Sequence, residues 1–364
     1  MRASSFVAVT LLSAALSGCQ GEDPGSTSGS DISYTDLPQR KTTVSGLVYD
    51  PEAFFFSMAN WPGDPTQAPP PAFFNGNPHG MRAAPMGAHV SIVGDGTAAD
   101  TSGPVPPTGA WQVLGVPTSD TTLYMARAEP PAEGVGIGAP NIFSPPDFTP
   151  IPVGKYYPTT ALRPILARAS SCQLQVAEML GDLGGLAAVA NMMTMMDMPT
   201  TPADLADPSK TGAVVFIWVY SPSPVLDIFN IPSDDFITAV EVSPNNVLQF
   251  GVGWAPPGAP EVPPSQGPMG YFAIPAPVSP LGYFALVIPK GTTGPVKLNF
   301  VDTKEDPKDE LGPRPWRIPS VEIPVVPGVS FLRLHAQPGG PPPPDDVTSE
   351  PAPDPDTSWM CLPR

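Results

Sequence analysis

Catalytic chemistry in this chain would have to be assembled from few parts. Only three histidines are present, His79, His89 and His335, and none stands in an H-E-x-x-H or comparable pair. A zinc hydrolase needs two or three His or carboxylate ligands plus a base at fixed spacing, so metal-assisted hydrolysis has no support here. His89 alternates with Val90 in a strand-like run and reads as a solvent-facing strand residue. The segment GVGIGA, residues 134–139, fits G-x-G-x-x-A, but a dinucleotide loop needs a strand before it and a helix after it. Pro130, Pro131 and Pro140 crowd this one. No G-x-S-x-G is present, so nothing indicates a serine nucleophile on a strand-to-helix elbow. The chain reads as non-catalytic and without a cofactor.

Three clusters could instead bind something. In NMMTMMDMP, residues 191–199, Met192, Met195 and Met196 recur at i, i+3 and i+4. On a helix that spacing puts three thioethers on one face, a soft ligand set for Cu(I); the alternative is adaptable filler where a helix packs between sheets. In DTKEDPKDE, residues 302–310, five carboxylates are partly neutralised by Lys304 and Lys308. A calcium loop needs six to eight oxygens around a glycine bend, and a solvated charged loop fits this stretch better. Phe54, Phe55, Phe56, Trp61, Phe73 and Phe74 fall within one proline-rich stretch. Exposed aromatic area marks contact surfaces, whereas the same rings folded inward would cover a sheet edge.

The elements that must carry these groups begin with an address. Residues 1–18 contain Arg2 as the only charge, a short apolar segment, FVAVTLLSAAL, and small residues before Cys19. This is the form of a signal peptide. Leu16-Ser17-Gly18-Cys19 resembles the lipobox of bacterial lipoproteins. That resemblance implies cleavage before Cys19, acylation of its sulfur and amine, and attachment to the lipid bilayer of the cell envelope; Gln20 implies the outer membrane. With Cys19 taken by lipid, Cys172 and Cys361 are left to form a disulfide or stay as two thiols. The net charge of −17 makes nucleic acid an unsuitable partner.

Proline and glycine, 56 and 34 of 364 residues, make up about a quarter of the chain, yet 41% is hydrophobic. Many short strands between proline-rich loops reconcile the two. Residues 19–40 form a flexible tether and 337–364 a proline- and acid-rich tail. Strand patterns occupy 42–50, 88–96, 109–117 and 121–129. Gly46, Val48 and Asp50; Ala88, Val90, Ile92 and Gly94; Thr101 and Gly103; Val113, Gly115, Val116 and Pro117; Leu123 and Ala126 follow one another in an order that resembles the transthyretin-like, carboxypeptidase regulatory-like domain. The resemblance implies a prealbumin-like sandwich over 41–128 with a carbohydrate-binding-like fold and no peptidase activity, interrupted by an insertion at 51–87 that the family lacks.

Beyond it lie a connector at 129–210 and a second strand-rich region at 211–336 that resembles a diverged copy. Ser170-x-x-Gln173 reads as a capping box, and Val176, Met179, Leu180, Leu183, Ala187 and Ala190 have helical spacing, predicting a helix from 170 toward Met196 in two pieces, weakened at Gly181, Gly184 and Gly185 and limited by Pro199. Residues 211–220, TGAVVFIWVY, predict a strand covered on both faces, and Asn245-Asn246 a hairpin turn between two strands. The expected fold is mainly β: two antiparallel sandwiches joined by a helical linker. The expected role is a membrane-anchored binding or structural module for an envelope protein or polysaccharide. A carbohydrate-binding accessory protein and, further off, an envelope hydrolase or metal-handling protein are the alternatives.

Overall fold

The computed structural model of the chain describes residues 41–53, 87–94, 97–106, 109–119, 121–131, 155–166, 174–220, 237–260, 262–302, 316–317, 320–335 and 337–338. Its elements are β1 (Lys41–Tyr49), β2 (His89–Gly94), β3 (Thr97–Thr101), β4 (Ala110–Pro117), β5 (Leu123–Glu129), β6 (Thr159–Ala161), β7 (Ile165–Leu166) and β8 (Leu174–Glu178). The helices α1 (Gly185–Met195) and α2 (Pro202–Ala206) follow. Then come β9 (Gly212–Tyr220), β10 (Ile237–Ser243), β11 (Leu248–Trp254), β12 (Tyr271–Ile274), β13 (Val278–Ser279), β14 (Tyr283–Pro289) and β15 (Val296–Asp302). Last are β16 (Trp316–Arg317), β17 (Val321–Ile323), β18 (Gly328–His335) and β19 (Gln337–Pro338).

Alternation places the first strands. Val90 and Ile92 of β2 are fully buried while His89 and Ser91 are half-buried, as a strand covered on one face requires. β9 is buried on both faces along Ala213–Val219, and its position explains why. It lies inside a ten-stranded sheet of order β12-β11-β14-β9-β18-β6-β5-β2-β3, with β7 on β5. Residues paired across a ladder share a face, so Phe216, Phe331 and Ala161, joined by the β9–β18 and β18–β6 registers, point the same way. On that face two layers sit side by side. The sheet β4-β1-β8 packs Val44, Val48, Val113 and Ala177 onto Val90, Ala126 and Ala128; α1 packs Leu186 and Val189 onto Phe216, Phe250 and Tyr271. On the opposite face Val215, Ile217 and Leu286 meet Val296, Leu298 and Phe300 of the sheet β13-β10-β15-β17.

The mainly β expectation holds, and four particulars differ. The two strand-rich regions are not separately closed, because β6 and β9 flank β18 in one continuous sheet. The sheets are not purely antiparallel: β1–β8, β6–β18 and β9–β18 are parallel pairs. The expected long helix begins only at Gly185; residues 174–178 are strand β8, since pairing with β1 overrides an apolar spacing that suits either state, and the glycines at 181, 184 and 185 separate the two elements. Thus α1 is a core layer and not a linker. Finally β10 and β11 do not pair with each other but lie in different sheets, so Asn245-Asn246 turns the chain from one layer to the next, and neither residue has positive φ.

One crossing is unusually close. Gly251 of β11 donates its N–H to the Ala276 carbonyl at 2.6 Å, and an added Cβ would overlap the Val278 carbonyl oxygen where the chain passes from β12 to β13. Backbone cannot swing aside as a side-chain tip can. Gly251→Ala is expected to lower stability by about 1–3 kcal/mol, read as an earlier urea midpoint; an unchanged midpoint would show that the crossing can relax.

Candidate functional site

Parallel pairing brings the C-terminal ends of β1 and β8 to the same place, with Tyr49 opposite Glu178. Beyond Tyr49 the chain continues as Asp50-Pro51-Glu52-Ala53, and beyond Glu178 it turns through Gly181–Gly184 into α1. This seam between the three-stranded sheet and the helix layer holds most of the buried ionisable groups among the described residues. Asp50 is 1% exposed and Glu52 is 0% exposed.

Each carboxylate is tied to a different element. Asp50 Oδ1 accepts the Glu52 backbone N–H at 2.8 Å and its Oδ2 accepts the Tyr156 hydroxyl at 2.9 Å. Glu52 Oε1 accepts two donors, the Tyr283 hydroxyl at 2.6 Å and the Gly185 N–H at 2.8 Å. Its Oε2 has no hydrogen-bond partner among the described residues. The Tyr271 hydroxyl donates to the Glu52 carbonyl at 2.8 Å. Tyr283 stacks on Trp218 at 4.5 Å between ring centroids, fixing where its hydroxyl points.

The Gly185 contact is a helix cap supplied from far away in sequence. The N-cap residue of α1, Gly184, offers no side-chain oxygen, and the first turn carries no acid. A carboxyl oxygen at this position satisfies an orphan N–H of the first turn, whether the acid is neutral or ionised. Glu52 therefore does for α1 what a local Ser or Asp does elsewhere. By contrast α2 caps itself, through Thr201 and Asp204.

Burial pushes both carboxyl groups up, Glu52 further because Asp50 lies beside it, and the hydrogen bonds that Glu52 accepts from Tyr283 and Gly185 offset only part of this. The hydroxyls of Tyr156 and Tyr283 are raised well above their usual value by burial and the adjacent carboxylates, and so remain donors. Next to this group Arg333 of β18 lies 3.9 Å from Glu178 Oε1, with its guanidinium 5.8 Å from the Tyr49 ring centre. Both members of that ion pair are sealed from water, their side chains 3% and 2% exposed.

The residues singled out by sequence fall elsewhere. Met192 is buried in the α1 core while Met195 and Met196 are 52% and 40% exposed, so the three thioethers do not share one environment. The packing-filler alternative describes Met192. The His89 ring Nδ1 is 3.0 Å from the Ser102 carbonyl, a contact within β-structure. Cys19, Cys172, Cys361, His79, Phe54, Phe55, Phe56, Trp61, Phe73, Phe74 and the acidic stretch 303–310 lie outside the described residues. Among the described residues no group of three His, Cys, Asp or Glu is placed to hold a metal ion, and no helix is long and apolar enough to cross a membrane.

Asp50 entered the sequence reading only as a position in a family pattern, and Glu52, Tyr156, Tyr283, Glu178 and Arg333 not at all. The signal that could have found Glu52 is the helix itself: a start at Gly184-Gly185 with no Ser, Thr, Asp or Asn to cap it demands a hydrogen-bond acceptor from elsewhere.

These features define a mainly β protein of stacked sheets braced by a sealed polar cluster. No family model matches the sequence, and no curated protein matches it. Among solved structures, the shaft pilin SpaA of Lactobacillus rhamnosus GG aligns over 84% of this chain and 100% of its own, at 9% identity and a TM-score of 0.20. Two point mutants of the same pilin align at TM-scores of 0.21 and 0.20, with 9% and 8% identity, each over 84% of this chain and covering 100% and 99% of their own. Scores at this level do not establish a common fold.

Proposed function

We propose that the chain is a lipid-anchored, non-catalytic module of a bacterial cell envelope, binding or bracing a protein or polysaccharide partner. The observation that carries the non-catalytic part is the closure of the ionisable cluster. Glu52, Tyr156, Tyr271 and Tyr283 are all 0% exposed, and a group acting as acid or base must come within hydrogen-bond reach of a substrate. Their hydrogen bonds are spent on joining β1, α1 and the large sheet. The anchor rests on the lipobox resemblance around Cys19. The prealbumin-like reading of 41–128 is supported by β1, β2, β4 and β5 falling where the resembling residues are.

The partner surface is assigned to the aromatic insertion, residues 51–87, whose first residues are held rigidly: Asp50, Glu52 and Ala53 are buried at its root. Loops hung on a rigid scaffold commonly carry binding. Mass spectrometry of the membrane fraction is expected to show a mature N-terminus at an acylated Cys19, and Cys19→Ala to release the protein from the pellet. Phe55→Ala with Trp61→Ala is expected to weaken recovery of a crosslinked partner about tenfold or more at an unchanged melting temperature. An unmodified N-terminus would overturn the anchor. A large fall in melting temperature would make the rings core and overturn the surface.

A further inference from the structure

The two carboxyl groups at the seam are not equivalent. Asp50 has a donor on each oxygen, whereas both donors to Glu52 converge on Oε1. Glu52 Oε2 is left against Gly184, where an added Cβ would overlap it. A buried oxygen without a donor is tolerable as the hydroxyl of a neutral acid and costly as half of a carboxylate. The arrangement therefore places a proton on Glu52 Oε2 while Asp50 carries the charge. Both hydrogen bonds to Oε1 survive in that state, because a carbonyl oxygen accepts as a carboxylate oxygen does.

Ionising Glu52 would put two buried negative charges side by side. The groups around them are the hydroxyls of Tyr156, Tyr271 from β12 and Tyr283 from β14, with the Gly185 N–H from α1. Asp182 lies beyond Tyr156 and adds negative charge. The nearby Arg333 is already set against Glu178 on β8. The charge beside Glu52 is that of Asp50, and it is of the same sign. The least costly escape is local. The first turn of α1 has no side-chain cap of its own, while β9 and β14 each pair with a neighbouring strand on both sides.

We propose that Glu52 is a proton-operated latch: protonated, it fastens the N-terminus of α1 to the end of β1, and ionised, it frees the first turn of α1 while the sheets stay folded. The upward displacement of the Glu52 carboxyl by burial agrees with this arrangement. The latch stands on the buried cluster and is independent of the membrane anchor.

Hydrogen exchange of the intact chain, followed by mass spectrometry and corrected for the intrinsic effect of pH, tests it. Between pH 6 and pH 9 the protection of amides 185–188 is expected to fall about tenfold or more, with the β9 and β14 amides unchanged. Glu52→Gln, which keeps the shape of the neutral acid, is expected to hold that protection constant across the range. Tyr283→Phe removes a donor that favours the ionised form and is expected to move the opening to higher pH. Constant protection in the native protein, an opening that persists in Glu52→Gln, an unmoved transition in Tyr283→Phe, or simultaneous loss in β9 and β14 would each overturn the latch.

Discussion

Folding stability is expected to fall as the solution is taken from about pH 5 to about pH 9, by on the order of several kcal/mol. The cause is the pair Asp50 and Glu52, raised by burial from ordinary values of 3.8 and 4.5 to about 6 and about 8. At any pH between the ordinary and the raised values, the folded protein holds protons that the unfolded chain has released. Stability then declines with rising pH, because the linkage slope follows protons bound by the unfolded state minus those bound by the native state. Below about pH 3, under both ordinary values, both states are protonated and the contribution is complete; above about pH 9 both are ionised and it is gone. Urea unfolding at fixed temperature across this range measures it. Glu52→Gln should abolish the upper part of the decline, between about pH 6 and pH 9, and leave below pH 6 only the shallower decline that belongs to Asp50. A native profile that is flat or rises over that upper range would contradict the assignment.

Arg333→Met is expected to cost about 3–5 kcal/mol at neutral pH. Methionine keeps much of the aliphatic volume, so the loss comes from removing the positive charge 3.9 Å from Glu178, whose side chain is 2% exposed. The double variant Arg333→Met with Glu178→Gln should recover much of the deficit, since removing both charges of a buried pair is far milder than removing one. The pair also joins β8 to β18, which lie in different sheets, so the single variant should raise the unfolding rate as well. A single variant within 1 kcal/mol of the native protein, by about the threshold of a surface change, would show that Glu178 is satisfied without Arg333.

The parts of the fold legible in the sequence are those whose pattern is local. β2 announces itself through Val90 and Ile92 against His89 and Ser91, and β9 through an unbroken apolar run, because each strand's burial is written in its own residues. Residues 174–178 were illegible for the opposite reason. Their apolar spacing suits a helix, and only β1, a partner distant in sequence, makes them a strand. Asn245-Asn246 has the composition of a hairpin turn, but nothing in the two residues says whether the next strand returns to the same sheet or crosses to another. The buried cluster was illegible because an acid in sequence looks the same inside or outside. Asp50 and Glu52 are buried by what packs over them from β12, β14 and α1.

The place of β18 bears on how the molecule comes together during synthesis. It is made after both of its neighbours, yet it is the keystone of the large sheet, wedged between β6 and β9. Until Gly328–His335 leaves the ribosome, both neighbours present bare hydrogen-bonding margins. Joining β6 to β18 also closes a long stretch of intervening chain, a slow event by loop entropy. The nascent protein thus keeps these two margins open to rescue or to mispairing until β18 is in place.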